Sequence, residues 1–213
     1  PFEGQLAPLR AQLDFPSDGA DAEAGMARLD EQLALLDGSK LGAVLVEPIQ
    51  GRGGKVVPPK GFLARLRTWC DANEALLIYD EIYTGLNRTG KLFACDWEGV
   101  VPDIICIGKS LSGGYPISAC VGKASVMDAW PKSEGEALHT STFLGNPVGC
   151  AMAVASLKEH ARQQTADEVI AQSRLLNELL EGLESSLIYQ LRGRGLMIGI
   201  ELRHADGSAA GDV

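Results

Sequence analysis

The chain has 213 residues, of which 46% are hydrophobic and 22% charged, and a formal charge of −9 at pH 7. Its length suits one domain, or one and part of another, with a sizeable core. The acidic balance excludes a nucleic-acid or anionic-membrane partner held by bulk charge. Cys70, Cys95, Cys106, Cys120 and Cys150 are widely spaced with no CxxC pair, so no metal site is expected and a reducing, cytoplasmic compartment fits. No apolar run reaches the ~18 residues of a membrane span, and no signal-peptide pattern opens the chain. A start at Pro1 rather than Met reads as a fragment or a processed product.

In chain order, Asp14 to Asp21 is rich in turn formers and acids and reads as a surface loop. Met26, Leu29, Leu33 and Leu36 recur at helical spacing and predict a helix over 23–36, with Gly38 as its C-cap. The apolar run 41–46 predicts a strand buried on both faces. A helix over 61–73 follows, with Leu63, Leu66 and Cys70 on one face, then strands over 75–79, 103–107 and 119–121. This alternation predicts an α/β fold with a largely parallel sheet. The long connection 81–102, with Gly85, Gly90 and Gly99, has the length of a functional loop. Asn146-Pro147 signals a helix start, running to His160. Thr165-Ala-Asp-Glu168 fits a capping box opening a helix to Leu187. A last strand covers 196–202, and the tail from His204 reads as frayed. Arg192 and Arg194 read as solvated charges, His139 as a packed histidine and the cysteines as core residues.

Open parallel α/β sheets bind ligands beyond the carboxyl ends of their strands. Glu47, Asp80-Glu81 and Lys109 stand at such ends, so acids and a lysine would face one crevice. Lys109 lies in Ile107-Gly-Lys-Ser-Leu-Ser-Gly-Gly114, where the glycines let the backbone turn and the amine project as a carbonyl nucleophile. A surface lysine at a strand end is the plain alternative. A P-loop is excluded because Asp103 stands where that pattern needs Gly. Asp80 suits pairing with a protonated pyridine nitrogen, which keeps such a ring electron-withdrawing; an N-cap or a surface ion pair is the alternative. Ser141 and Thr142, before the Asn146-Pro147 helix start, suit a phosphate or simple capping.

Four ordered motifs are more telling than any one. Glu47-Pro-Ile-Gln-Gly51, Asp80-Glu-Ile-Tyr-Thr-Gly85 with Arg88-Thr-Gly90, Gly108-Lys109 with Ser112-Gly-Gly114, and Ser141-Thr-Phe-Leu-Gly-Asn-Pro147 together closely resemble the class III pyridoxal-phosphate-dependent aminotransferases. The resemblance covers about 41–202. It implies a fold-type-I architecture: the central part of a large domain with a mostly parallel sheet over 1–160, and the start of a small C-terminal domain over 161–213. It implies pyridoxal 5'-phosphate as cofactor, carried by Lys109 as a Schiff base. Asp80 would pair with the pyridine nitrogen and Ile82 would pack on the ring. Tyr83 would stand where many members place a Gln near the phenolic oxygen. Ser141 and Thr142 would reach the phosphate of the neighbouring subunit in a homodimer with shared sites, and Glu47 would lie at the substrate end. The implied reaction moves an amino group from an amino acid or amine to a 2-oxo acid. Aminomutase, racemase or decarboxylase chemistry on the same residues is one alternative, and a non-catalytic fragment is another. The family's Gly/Ser-rich phosphate cup and its carboxylate-binding arginine are not found in this chain.

Overall fold

The structure is a computed structural model that describes residues 11–129, 134–135, 142–183 and 185–210. Helix α1 (Ala22–Leu35) precedes strand β1 (Ala43–Val46), helix α2 (Phe62–Ala72) and strand β2 (Leu76–Asp80). Strands β3 (Ile104–Ile107) and β4 (Ala119–Gly122) complete a four-stranded sheet of order β1-β2-β3-β4. The first two pairings are parallel and the last is antiparallel. Short helix α3 (Ala124–Met127) is followed by α4 (Pro147–His160) and α5 (Gln163–Glu181). Strands β5 (Ile188–Arg194) and β6 (Met197–Leu202) form a separate antiparallel pair.

The main core lies on one face of the sheet. Leu29 and Leu33 of α1 and Leu63, Leu66 and Cys70 of α2 meet Leu77 and Tyr79 of β2, with Val44 and Val46 of β1 packed against them. Burying each large aliphatic side chain contributes about 2 kcal/mol. The expectation of a first strand buried on both faces is corrected. Alternate residues of a strand point to opposite faces, and Leu45, on the face away from α1 and α2, is 68% exposed. The loop before α1 is less superficial than its composition suggests. Pro16 is buried, Phe15 meets Phe62 edge-on at 4.9 Å between centroids, and the Asp18 N–H donates to the Val57 carbonyl.

Other boundaries differ for local reasons. Helix α1 ends at Leu36 in extended backbone, and Gly38 instead begins a short 3-10 turn capped by Asp37. The Thr165 capping box does not form: α5 begins at Gln163, and the Thr165 hydroxyl donates to the Glu159 carbonyl. Helix α5 stops at Glu181, so the chain can turn into β5, a strand that sequence periodicity missed. The tail is not frayed through Ala210, because Arg203 bridges Ala209 and Ala210 is buried. Of the cysteines only Cys70 and Cys95 are buried; Cys106 is half-buried, and Cys120 and Cys150 are exposed.

The β5–β6 pair is fastened to the loop region of the sheet. The Leu196 N–H donates to the Arg88 carbonyl at 2.9 Å. The turn at Gly195 has φ +62, and a Cβ there would stand 2.5 Å from the Thr89 carbonyl carbon, so only glycine permits the approach. Arg192 is not a solvated charge: its Nε donates to the Gly54 carbonyl at 2.9 Å and its guanidinium pairs with Glu201. No helix among the described residues is long and apolar enough to cross a membrane.

Candidate active site

Parallel pairing brings the candidate residues to one end of the sheet. Val46 is the partner of Tyr79 and Cys106 the partner of Asp80. Glu47, Asp80 and the segment leading to Lys109 therefore emerge together, as expected of strand ends in an open sheet. Glu47 and Asp80 both line a cleft of about 640 Å³ beside β1.

Lys109 starts a short 3-10 turn, Lys109–Leu111, closed by the Leu111 N–H on the Gly108 carbonyl. Its φ is +42, a region that costs a non-glycine residue about 1 kcal/mol or more. The next residue is clamped from two sides. Ser110 Oγ accepts from Arg88 at 2.7 Å, and its carbonyl accepts from the Ser156 hydroxyl of α4 at 2.8 Å. The strained turn is thus held by α4 and by the 81–102 connection, and the exposed amine reaches back over Tyr83. Lys109 Nζ lies 3.5 Å from the centroid of that ring.

Asp80 Oδ1 accepts the Ile82 N–H at 3.0 Å, which fixes the carboxylate at the end of β2. Ile82 packs toward Gly108, where a Cβ would already sit 3.4 Å from Ile82 Cγ2. Tyr83 is wedged among Gly51, Lys55 and Lys109; a Cβ on Gly51 would clash with its ring at 2.9 Å. Glu47 accepts the Gly51 N–H, so the turn under Tyr83 is tied to the end of β1.

Two expectations change. Glu81 does not face the crevice: it is 1% exposed and accepts from the Thr84 hydroxyl and from the N–H groups of Ala94 and Cys95. Burial pushes its carboxyl above the usual carboxylate range, although these donors oppose the shift. At the start of α4, the N–H groups of Val148 and Gly149 are not left open to a phosphate, because Asn146 Oδ1 caps both at 3.0 and 3.2 Å. Thr142 is exposed on the turn before α4, while Ser141 and His139 lie outside the described residues. Sequence reasoning gave no role to Ser110, Ser156 or Arg192; only the tertiary contacts identify them.

The family profile described as "Aminotransferase class-III" matches residues 4–210. "Ornithine aminotransferase 1" of Staphylococcus saprophyticus is 46% identical over 180 residues, 82% of this chain and 44% of the relative. The ornithine aminotransferase of Toxoplasma gondii superposes with a TM-score of 0.72 at 43% identity, covering 83% of this chain and 41% of that one. An amine transaminase from an uncultivated Pseudomonas species, solved in its pyridoxal-phosphate-bound form, gives 0.75 at 35% identity, covering 89% and 46%. This chain thus spans less than half the length of the relatives it matches. A mixed, mostly parallel sheet and a small C-terminal antiparallel sheet are the corresponding part of the fold-type-I architecture. By its four motifs, its strand order and the profile match over nearly its whole length, the chain belongs to the class III aminotransferases.

Proposed function

We propose that the chain forms the cofactor-bearing part of a pyridoxal-phosphate-dependent aminotransferase that takes the terminal amino group of an ornithine-like diamine or amino acid. The observation that carries this reading is that Asp80 ends β2, Lys109 follows the adjacent parallel strand β3 at the same edge of the sheet, and the Lys109 amine lies over the Tyr83 ring. The names of the relatives, ornithine, putrescine and acetylornithine aminotransferases, support the substrate class.

The residues present fit the cofactor chemically: a primary amine for an aldehyde, a carboxylate for a ring nitrogen, and an aliphatic side chain for a ring face. When bound, pyridoxal phosphate supplies an electron sink for the carbon that loses a proton. Lys109 would hold the cofactor through its aldehyde, and its Nζ would carry the proton to and from the substrate. Asp80 holds a proton at the ring nitrogen through charge. Ile82 keeps water off one ring face, and the Tyr83 hydroxyl offers a hydrogen bond where many members offer an amide. Glu47 lies at the substrate end. Ser141 and Thr142 serve the phosphate of a partner subunit in a homodimer, a role that the exposure of Thr142 supports. A boundary near residue 160 between a large and a small domain is supported by the end of α4 and by the separate β5–β6 sheet. A reducing, cytoplasmic location is supported by five free cysteines.

The test is to add pyridoxal phosphate, reduce with borohydride and map the peptides. Label on Lys109 is expected; label confined to Lys55 or Lys91 would overturn the assignment. Glutamate formation from ornithine and 2-oxoglutarate then separates amino transfer from mutase, racemase or decarboxylase chemistry. For the shared site, a Lys109→Ala subunit is mixed with a Thr142→Ala subunit. Activity above either variant alone is expected, and no rise after confirmed subunit exchange would place Thr142 in its own subunit's site.

A further inference from the structure

Cys106 of β3 and Cys120 of β4 are direct partners in the antiparallel ladder, and both are free thiols. Their spacing follows from which way the backbone of β3 points. A strand residue directs its N–H and C=O to the same side. The Cys106 carbonyl accepts from the Glu81 N–H at 2.9 Å, so its polar groups are turned toward β2. The 106–120 pair is therefore a non-hydrogen-bonded pair of the β3–β4 ladder. Directly opposed residues of that type have Cα atoms about 4.5 Å apart and side chains on one face. A disulfide needs a Cα separation of about 4.4–6.8 Å.

The two thiols differ in exposure, which sets the order of attack. Cys120 is exposed and open to attack on an outside disulfide, whereas Cys106 is half-buried beside it. Burial first, and then the neighbouring Cys120, raise the Cys106 thiol above its usual range. Cys70 and Cys95 are buried in the core, and burial pushes the Cys70 thiol up to about 11. They are not competitors. Cys150 lies on another element, helix α4.

We propose that Cys106 and Cys120 form a reversible dithiol–disulfide modification site across β3 and β4, accepting oxidising equivalents from a small-molecule disulfide. The Cys120 thiolate attacks the outside disulfide, forming a mixed disulfide and releasing one thiol. The Cys106 thiol then loses its proton and displaces the second thiol, forming the Cys106–Cys120 bond. One outside disulfide is reduced to two thiols while two cysteines are oxidised, which balances the electrons. The bond ties β4 to the strand that leads into Lys109, at the residue paired with Asp80.

The experiment uses the full 213-residue chain, reduced, desalted and exposed to excess oxidised glutathione, then alkylated while unfolded and digested with trypsin without reduction. Cleavage after Lys91, Lys109 and Lys123 puts Cys106 and Cys120 in different peptides; the first also carries Cys95, which tandem fragmentation separates. The two peptides are expected joined, lighter by two hydrogens than their sum, and split again by dithiothreitol. Cys120→Ser reduces the cross-link to background, and Cys150→Ser leaves it unchanged. Recovery of the wild-type peptides separately, each alkylated or carrying glutathione, would overturn the proposal. So would a bond from either cysteine to Cys150 or to a second chain.

Discussion

The ammonium of Lys109 stands 3.5 Å above the Tyr83 ring, and Lys55 approaches the same ring at 5.1 Å. A cation over an aromatic face at a partly exposed site is held by about 0.5–1 kcal/mol. Tyr83 is therefore a shelf that restrains the amine, and substitution tests the shelf apart from the hydroxyl. In Tyr83→Ala, labelling of Lys109 by an amine-reactive probe should rise about two- to fivefold, while Tyr83→Phe stays near the parent rate. Equal rates in Ala and Phe variants would show that the ring does not restrain Lys109.

Asp80 is fixed at the end of β2 by the Ile82 N–H. Asp80→Asn keeps the shape and removes the charge. In the active enzyme, single-turnover amino transfer should fall by about two orders of magnitude, while borohydride still places the pyridoxyl label on Lys109. A rate within about twofold of the parent would remove Asp80 from the ring-nitrogen role proposed for it.

Asp103 joins three elements just before β3. Its carboxylate accepts from the Leu77 N–H, Arg67 and Lys123, each at 2.7 Å. Burial alone would raise its carboxyl, but the Leu77 hydrogen bond and the Lys123 and Arg67 partners outweigh burial and hold it down at about 2. With the folded value below the unfolded one, its contribution is full above pH 4 and is lost as pH falls toward 2. Asp103→Ala should lower stability by about 3 kcal/mol at neutral pH. Urea midpoints at pH 6 and pH 3 check this: the gap between variant and parent should shrink at the lower pH.

Glu81 gives the opposite sign. Its carboxyl is raised by burial, so the folded chain holds that proton more tightly than the unfolded chain. Its contribution therefore declines as pH rises from the ordinary carboxylate range through the raised value. Glu81→Ala strands the buried N–H groups of Ala94 and Cys95 and should cost about 3 kcal/mol. Glu81→Gln removes the titration, so the decline in stability over that pH window should disappear from denaturant titrations.

At Gly195 the small sheet comes closest to the backbone of the loop that clamps Lys109. Gly195→Ala would place a methyl group 2.5–2.6 Å from backbone atoms of Arg88 and Thr89 at a φ of +62. A loss of about 3 kcal/mol is expected. Limited proteolysis near residues 195–196 should accelerate with it. An unchanged melting temperature would mean that the hairpin does not need this close approach.

The sequence by itself determined the order of the main elements and singled out the candidate site residues. Periodicity located α1, α2 and α4 to within a residue or so, because their apolar stripes and the Asn146-Pro147 start act over a few neighbouring positions. The apolar runs gave β2, β3 and β4, and the motifs singled out Lys109, Asp80 and Tyr83, because residue type at a strand end is written locally. What only the tertiary structure decided depends on partners distant in the chain. Leu45 is as apolar as its neighbours, yet its exposure depends on which face α1 and α2 cover. Glu81 adjoins Asp80, yet pleating turns one carboxylate inward to the Ala94 and Cys95 amides and leaves the other at the cleft. Arg192 became a structural cation because Gly54 and Glu201 come to meet it, and Cys106 and Cys120 became a pair because the antiparallel register of β3 and β4 sets them opposite each other.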